Sequence, residues 1–293
     1  MEYGNCCRYD GPMNLAEPVA STWHAHLNLG FERRAAATIL ARREHVGPLR
    51  VQKPLYPEGE AVCHAIVLHP PSGIVGGDEL EIDVSVGPGA HALLTTPGAG
   101  KWYRSAGAWA QQRLGLSVEA GGALEWLPQE TIVFDAARAA MRSSIELADE
   151  ARFIGMEVLC LGRRASGETF ASGALHLETR VQRKGRPIWL ERGQLEGGGK
   201  LLNASAGLAG FSVSGTLLAV APRIEPGLLA ACRGITAREA GARHGLTALP
   251  ELIVARYLGH SSEAARHWFV DLWRVLRPAL IGCEAQVPRI WNT

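Results

Sequence analysis

Leu80, Ile82, Val84 and Val86 are separated by Glu81, Asp83 and Ser85, so apolar and polar positions alternate with a period of two. That is the pattern of a strand with one dry face and one wet face. Residues 141–147 alternate in the same way, with Arg142, Ser144 and Glu146 on the wet side. Shorter apolar runs at 24–31, 38–45, 66–68, 90–94, 114–118, 124–127 and 252–258 predict further strands. Ala120-Gly121-Gly122-Ala123 joins two of these runs at a spacing that predicts a hairpin, and Arg183-Lys184-Gly185-Arg186 joins residues 175–181 to 187–195 in the same manner. Residues 153–161 do not alternate. They form an almost continuous apolar run broken by Glu157, which predicts a strand covered on both faces. Corners rich in glycine and proline, such as Pro70-Pro71, Gly76-Gly77 and Gly87-Pro88-Gly89, punctuate these runs.

Helical signals come late. Residues 226–243 are rich enough in alanine and leucine for one or two short helices. Ser261 or Ser262 then caps an amphipathic helix in which Trp268, Phe269, Leu272, Trp273, Leu276 and Leu280 recur at steps of about four, and Pro278 is expected to close it. The order of elements predicts a mainly β body with a small C-terminal α/β part. Residues 1–20 carry no periodicity and are read as a leader. Residues 21–293 are read as one unit with no internal repeat of fixed period.

Composition narrows the function classes. The chain has 293 residues, 47% of them hydrophobic, which is ample for a large core, and its formal net charge of +1 gives no general attraction to nucleic acid or to an anionic membrane. Residues 201–222 are uncharged, but Phe211, Val213 and Leu217 alternate with hydroxyl residues, which is strand periodicity and not a spanning helix. The six cysteines include no C-x-x-C pair and read as free thiols of a cytosolic protein. Two of them, Cys6 and Cys7, fall in the leader.

Most motif-like stretches resolve into turns. Around Gly100-Lys101 a phosphate loop would need glycine where Thr95 stands and a hydroxyl where Trp102 stands, so nucleotide binding is not expected, and Lys101 and Arg104 are read as solvent-facing or paired. Gly76-Gly77-Asp78 is read as a turn whose aspartate bonds backbone amides. His24 and His26 share a strand face, but the ten histidines form no zinc-type spacing. Glu157 and Glu191 stand out, because a carboxylate inside an apolar strand costs several kcal/mol unless it meets a partner, a proton-sharing acid or water in an internal passage. They are candidates for a buried ion pair, for the lining of a channel, or for the acid/base pair of a β-rich hydrolase.

The motifs HVGPLRVQKPLYPEG (45–59), LHPPSGIVGGDEL (68–80), PGAGKWYRS (97–105), LEWLPQETIVF (124–134), LCLGRRASGETF (159–170) and PRIW (288–291) resemble the urease accessory protein family UreD, also called UreH. Ser72 departs from the glycine usual in the HPP-G-G turn. The resemblance implies a scaffold and not an enzyme, with a two-layered, helix-like wrap of many short strands. It implies apo-urease, UreF and the GTPase UreG as partners, with no nucleic acid or membrane among them. It also implies no tightly bound cofactor, and transient passage of Ni²⁺ through an internal tunnel. Matched motif by motif, Asp78, Glu157 and Glu191 are the expected lining of that passage. Trp268 and Trp273 are read by default as the core face of their helix, and the same Trp- and Leu-rich stripe is the alternative docking face for an all-helical UreF.

Overall fold

The computed structural model describes residues 22–292, so the leader reading of residues 1–20 lies outside the described residues. Strands β1 (His24–Arg34) and β2 (Ala37–Val46) form an antiparallel pair, and β3 (Arg50–Val51) lies on an edge. The chain then winds. A first turn comprises β4 (Val62–Leu68), β5 (Gly73–Ile74) and β6 (Glu79–Val86). A second comprises β7 (His91–Thr95), β8 (Gly100–Trp102) and β9 (Ala110–Val118). A third comprises β10 (Ala123–Trp126), β11 (Thr131–Val133) and β12 (Arg138–Leu147). Strand β13 (Arg152–Leu161) opens a fourth that ends in β14 (Ala174–Arg183), and β15 (Arg186–Glu196) folds back on β14.

Like positions of successive turns pair in parallel, giving ladders β4–β7–β10–β13 and β1–β6–β9–β12–β14. Val62 pairs with His91, His91 with Ala123 and Ala123 with Arg152, so the turns are 29, 32 and 29 residues long. The wrap is therefore a solenoid whose repeat lies in the backbone and not in the residues. Each turn needs only inward apolar positions and a permissive corner, and many sequences supply both.

The pairing corrects one predicted hairpin. Residues 114–118 and 124–127 lie in different sheets, because the corner at Gly121 (φ +66°) sends the chain onward to the neighbouring face. The hairpin predicted at Lys184-Gly185 is present as β14–β15.

Beyond the solenoid come α1 (Lys200–Asn203), β16 (Val213–Val220), α2 (Pro226–Arg233), β17 (Arg243–Leu249), β18 (Leu252–Gly259) and α3 (Ser262–Leu280). The helical expectation for 226–243 holds only as far as Arg233, and a strand begins at Arg243. Pro278 sits inside α3 and does not end it. The chain leaves the helix at Gly282 (φ +90°), whose N–H bonds the carbonyls of Arg277 and Pro278. Ser261 caps α3, its hydroxyl accepting from the Ala264 N–H at 3.1 Å. Ser261→Ala is expected to lower stability by about 1 kcal/mol in urea denaturation.

Strand β13 is the shared wall of two cores. Phe153, Leu159 and Leu161 face the solenoid interior, while Ile154, Met156 and Val158 face a second cluster built on α3. Trp268 and Trp273 belong to that second cluster at 0% and 1% exposure, their indole N–H groups donating to the Ile235 carbonyl and to Glu125. They are core residues, covered by their own chain, and offer a partner no surface. Cys63, Cys160, Cys232 and Cys283 are free thiols, and among the described residues no helix is long and apolar enough to cross a membrane.

Candidate functional site: a polar row inside the solenoid

Two-residue periodicity decides where Glu157 points. Phe153 and Leu159, on the same side of β13, fill the solenoid interior, so Glu157 projects inward with them. A cavity of about 240 Å³ lies there, walled by residues from four turns, among them His69, Lys101, Gln129, Trp126 and Met141, with Glu157 on its border. Two smaller cavities, of about 60 and 80 Å³, share Glu157, Glu191, Thr179 and Thr216. Glu157 thus borders all three spaces, each large enough for water.

Register extends the polar path. In one sheet Glu157 pairs with Thr216 and Thr216 with Arg256, giving a row across β13, β16 and β18. In the facing sheet Thr179 pairs with Glu191. Arg256 closes the two rows, its Nη2 lying 2.7 Å from Glu191 Oε1 and its Nη1 donating to Thr216 Oγ1 at 2.6 Å. The Glu191–Arg256 pair is half-exposed, so the row runs from the interior at Glu157 to the surface. The arginines near Glu157 and Glu191 in sequence serve elsewhere, Arg163 with Glu168 and Arg192 with Glu178. A pair 65 residues apart, on strands brought together only by folding, was not readable from local sequence.

Electrostatics set Glu157 apart. Burial and then the Glu191 charge push its carboxyl above the usual range, and Arg256 offsets this only in part. Its ionised form is therefore held back in the folded protein but not in the unfolded chain. Above the ordinary carboxylate range this costs stability, and the cost grows as pH rises toward the folded value. Glu157→Gln is accordingly expected to raise the Tm at neutral pH, with a smaller gain under acid conditions.

The other sequence candidates sit apart from this row. Asp78 is buried, with Oδ1 accepting from the Trp23 N–H at 3.1 Å and Oδ2 from the Val75 N–H at 3.0 Å, the amide-bonding turn that the glycine pair predicted. It staples the corner before β6 to the start of β1. His69 links it electrostatically to the large cavity, and burial holds that imidazole below its usual range, with the Asp78 charge acting against it. Lys101 reaches the same cavity, while Arg104 is exposed.

A second buried polar cluster was not singled out by sequence reasoning. Arg277, on the apolar face of α3 and 0% exposed, donates from Nε to both Glu125 oxygens at 3.0 Å and from Nη2 to Glu58 at 2.9 Å. His91 meets Glu125 at 2.7 Å, His64 meets Glu58, and Trp273 Nε1 donates to Glu125 at 2.6 Å. Burial pushes Glu125 and Glu58 upward, yet the bonds and charges of His91, His64 and Arg277 outweigh it and leave both carboxyls below the usual range. The available signal was one charge interrupting each apolar pattern, Glu125 within 124–127 and Arg277 between Leu276 and Leu280. Among the described residues no group of three or more His, Cys, Asp or Glu side chains is gathered to hold a metal ion.

Residues 24–292 match the family model described as UreD urease accessory protein. The chain is 58% identical over 283 residues to the urease accessory protein UreD of Dechloromonas aromatica, covering 95% of this chain and 98% of that protein. It is 55% identical to the UreD of Azoarcus sp. strain BH72 over 92% of this chain and 94% of that protein, and 50% identical to the UreD of Nitrosococcus oceani over 98% and 96%.

Proposed function

The chain belongs to the UreD urease accessory protein family, and on that premise we propose that it is a cytoplasmic scaffold that binds apo-urease and UreF, engages the GTPase UreG through UreF, and gives Ni²⁺ an internal route to the urease active site. The observation that carries the route is the meeting of three cavities at one inward carboxylate, Glu157, in line with the half-exposed Glu191. Two carboxyl groups face a single guanidinium there, and a divalent cation entering the row would supply the positive charge that lets Glu157 ionise beside Glu191. Sparse oxygen ligands suit cargo in transit. A cluster of imidazole or thiolate ligands would hold a borderline ion such as Ni²⁺ too tightly to release it. Asp78, whose oxygens are engaged by amides, supports the wall and leaves the cation to Glu157 and Glu191.

Docking to UreF through the helical corner would use the outward side chains of α3, such as Glu263, His267 and Arg274, since its tryptophans are interior. The test is to mature apo-urease with UreF and UreG, with and without this chain, and to count nickel in the purified urease. Nickel-poor urease only when the chain is omitted is the expected result. Full loading without it overturns the scaffold reading, and substrate turnover by the isolated chain would favour a hydrolase working through Glu157 and Glu191.

A further inference from the structure

The outer face of the long sheet carries a different grouping. Alternation along β1 buries Ala25 and Leu27 and turns His24 and His26 outward on the same face. Strand β6 runs parallel beside it in a register that sets His24 against Glu79, His26 against Glu81 and Asn28 against Asp83. The result is a grid of two imidazoles and three carboxylates. His24 Nδ1 lies 3.3 Å from Glu79 Oε2, and His26 Nε2 lies 2.9 Å from Asp83 Oδ2. A depression of about 210 Å³ opens over His24, His26, Glu79 and Glu81, and Val46 and Arg113 form part of its wall.

We propose that this face is a binding site for a borderline divalent cation of the Ni²⁺, Zn²⁺ or Cu²⁺ class, chelated by His24 and His26 with a carboxylate of β6 completing the ligand set. Two imidazoles at positions i and i+2 of a strand stand about 6.5–7 Å apart along the backbone, and the neighbouring strand is about 4.8 Å away. Side-chain rotation alone therefore brings both rings and one carboxylate onto a single ion. As the side chains stand, each imidazole faces a separate carboxylate and no three ligands share a point. His24 has room to turn, its side chain being 73% exposed, while His26 would exchange its bond to Asp83 for the ion.

Charge favours a cation. Glu79, Glu81 and Asp83 are opposed by Arg113, which lies 3.5 Å from Glu81. Nitrogen ligands select the borderline ions over Mg²⁺ or Ca²⁺, which prefer oxygen throughout. The site lies on the opposite side of the β1–β6 sheet from the interior cavity and stands or falls independently of the passage through Glu157.

The test uses the full-length protein titrated with NiCl₂ by equilibrium dialysis and with CuCl₂ by electron paramagnetic resonance. The parent should bind one Ni²⁺ that is weakened at least about tenfold by His24→Ala and equally by His26→Ala, because either change removes the chelate. The Cu²⁺ spectrum should show two coordinated nitrogens in the parent and fewer in each variant, with an unchanged Tm. Glu157→Gln, and a Cys6→Ser/Cys7→Ser variant, should retain the site. Parental binding by either histidine variant, or loss of the site only in the cysteine variant, overturns the assignment. Loss of nickel delivery to urease in Glu157→Gln reports on the passage alone.

Discussion

Replacing Arg277 with methionine is expected to cost about 3–5 kcal/mol, the largest stability loss of any single change considered for this chain. The volume is nearly kept, so the loss is electrostatic. Glu125 and Glu58 would stay buried with no guanidinium, and the α3 anchor to β10 and to the loop before β4 would be gone. A loss of that size is a large fraction of the 5–15 kcal/mol by which domains are ordinarily stable, so soluble yield should fall as well. The pH dependence separates this cause from simple loss of packing. In the parent both carboxyls lie below their ordinary value of 4.5, so their stabilisation is complete above that pH and is lost as pH falls through the folded values. In Arg277→Met the buried carboxyls have lost that support, and the gap to the parent should narrow between pH 7 and pH 4.5. Adding Glu125→Gln to Arg277→Met should recover part of the stability at neutral pH. Urea titrations of the three proteins at both pH values decide the matter, and a gap that stays constant with pH would rule out the electrostatic account.

Urease matured with the Glu157→Gln scaffold is expected to carry at least about tenfold less nickel than urease matured with the parent. Removing even an outer-sphere partner of a metal ligand commonly costs 10–100-fold in affinity, and Glu157 is proposed to touch the ion directly. The amide keeps the side chain's shape while removing the one carboxylate that borders all three cavities. Because the same change should raise the Tm, a poorly loaded urease cannot be blamed on an unfolded scaffold. Glu191→Gln should act in the same direction by a second route, since it leaves Arg256 uncompensated at the outer end of the row. Nickel content measured at equal amounts of assembled complex is the readout, and parental loading by both variants would remove the carboxylates from the proposed route.

What the sequence determined by itself was local. Alternation at 80–86 and 141–147 placed the dry faces correctly, the continuous run at 153–161 marked a strand shared by two cores, and Ser261 marked the start of α3. Asp78 as an amide-bonding turn residue was equally legible. These features depend on neighbours within a few residues, where backbone periodicity and turn chemistry act. What only the tertiary structure decided was partnership. The corner at 120–123 serves a hairpin and a solenoid turn equally well, so turn residues could not say that β9 and β10 belong to different sheets. The charge on Glu157 was visible as an anomaly, but its meeting with Glu191 and Arg256 required strands far apart in the chain to come into register. Trp268 and Trp273 show the same limit from the other side: an apolar helical stripe states that it will be covered, and only the packing of α3 on β13, β16 and β18 shows that the cover is the chain itself. Burial and charge pairing are sums over contacts between distant segments, and local pattern fixes that a partner is needed without fixing which one.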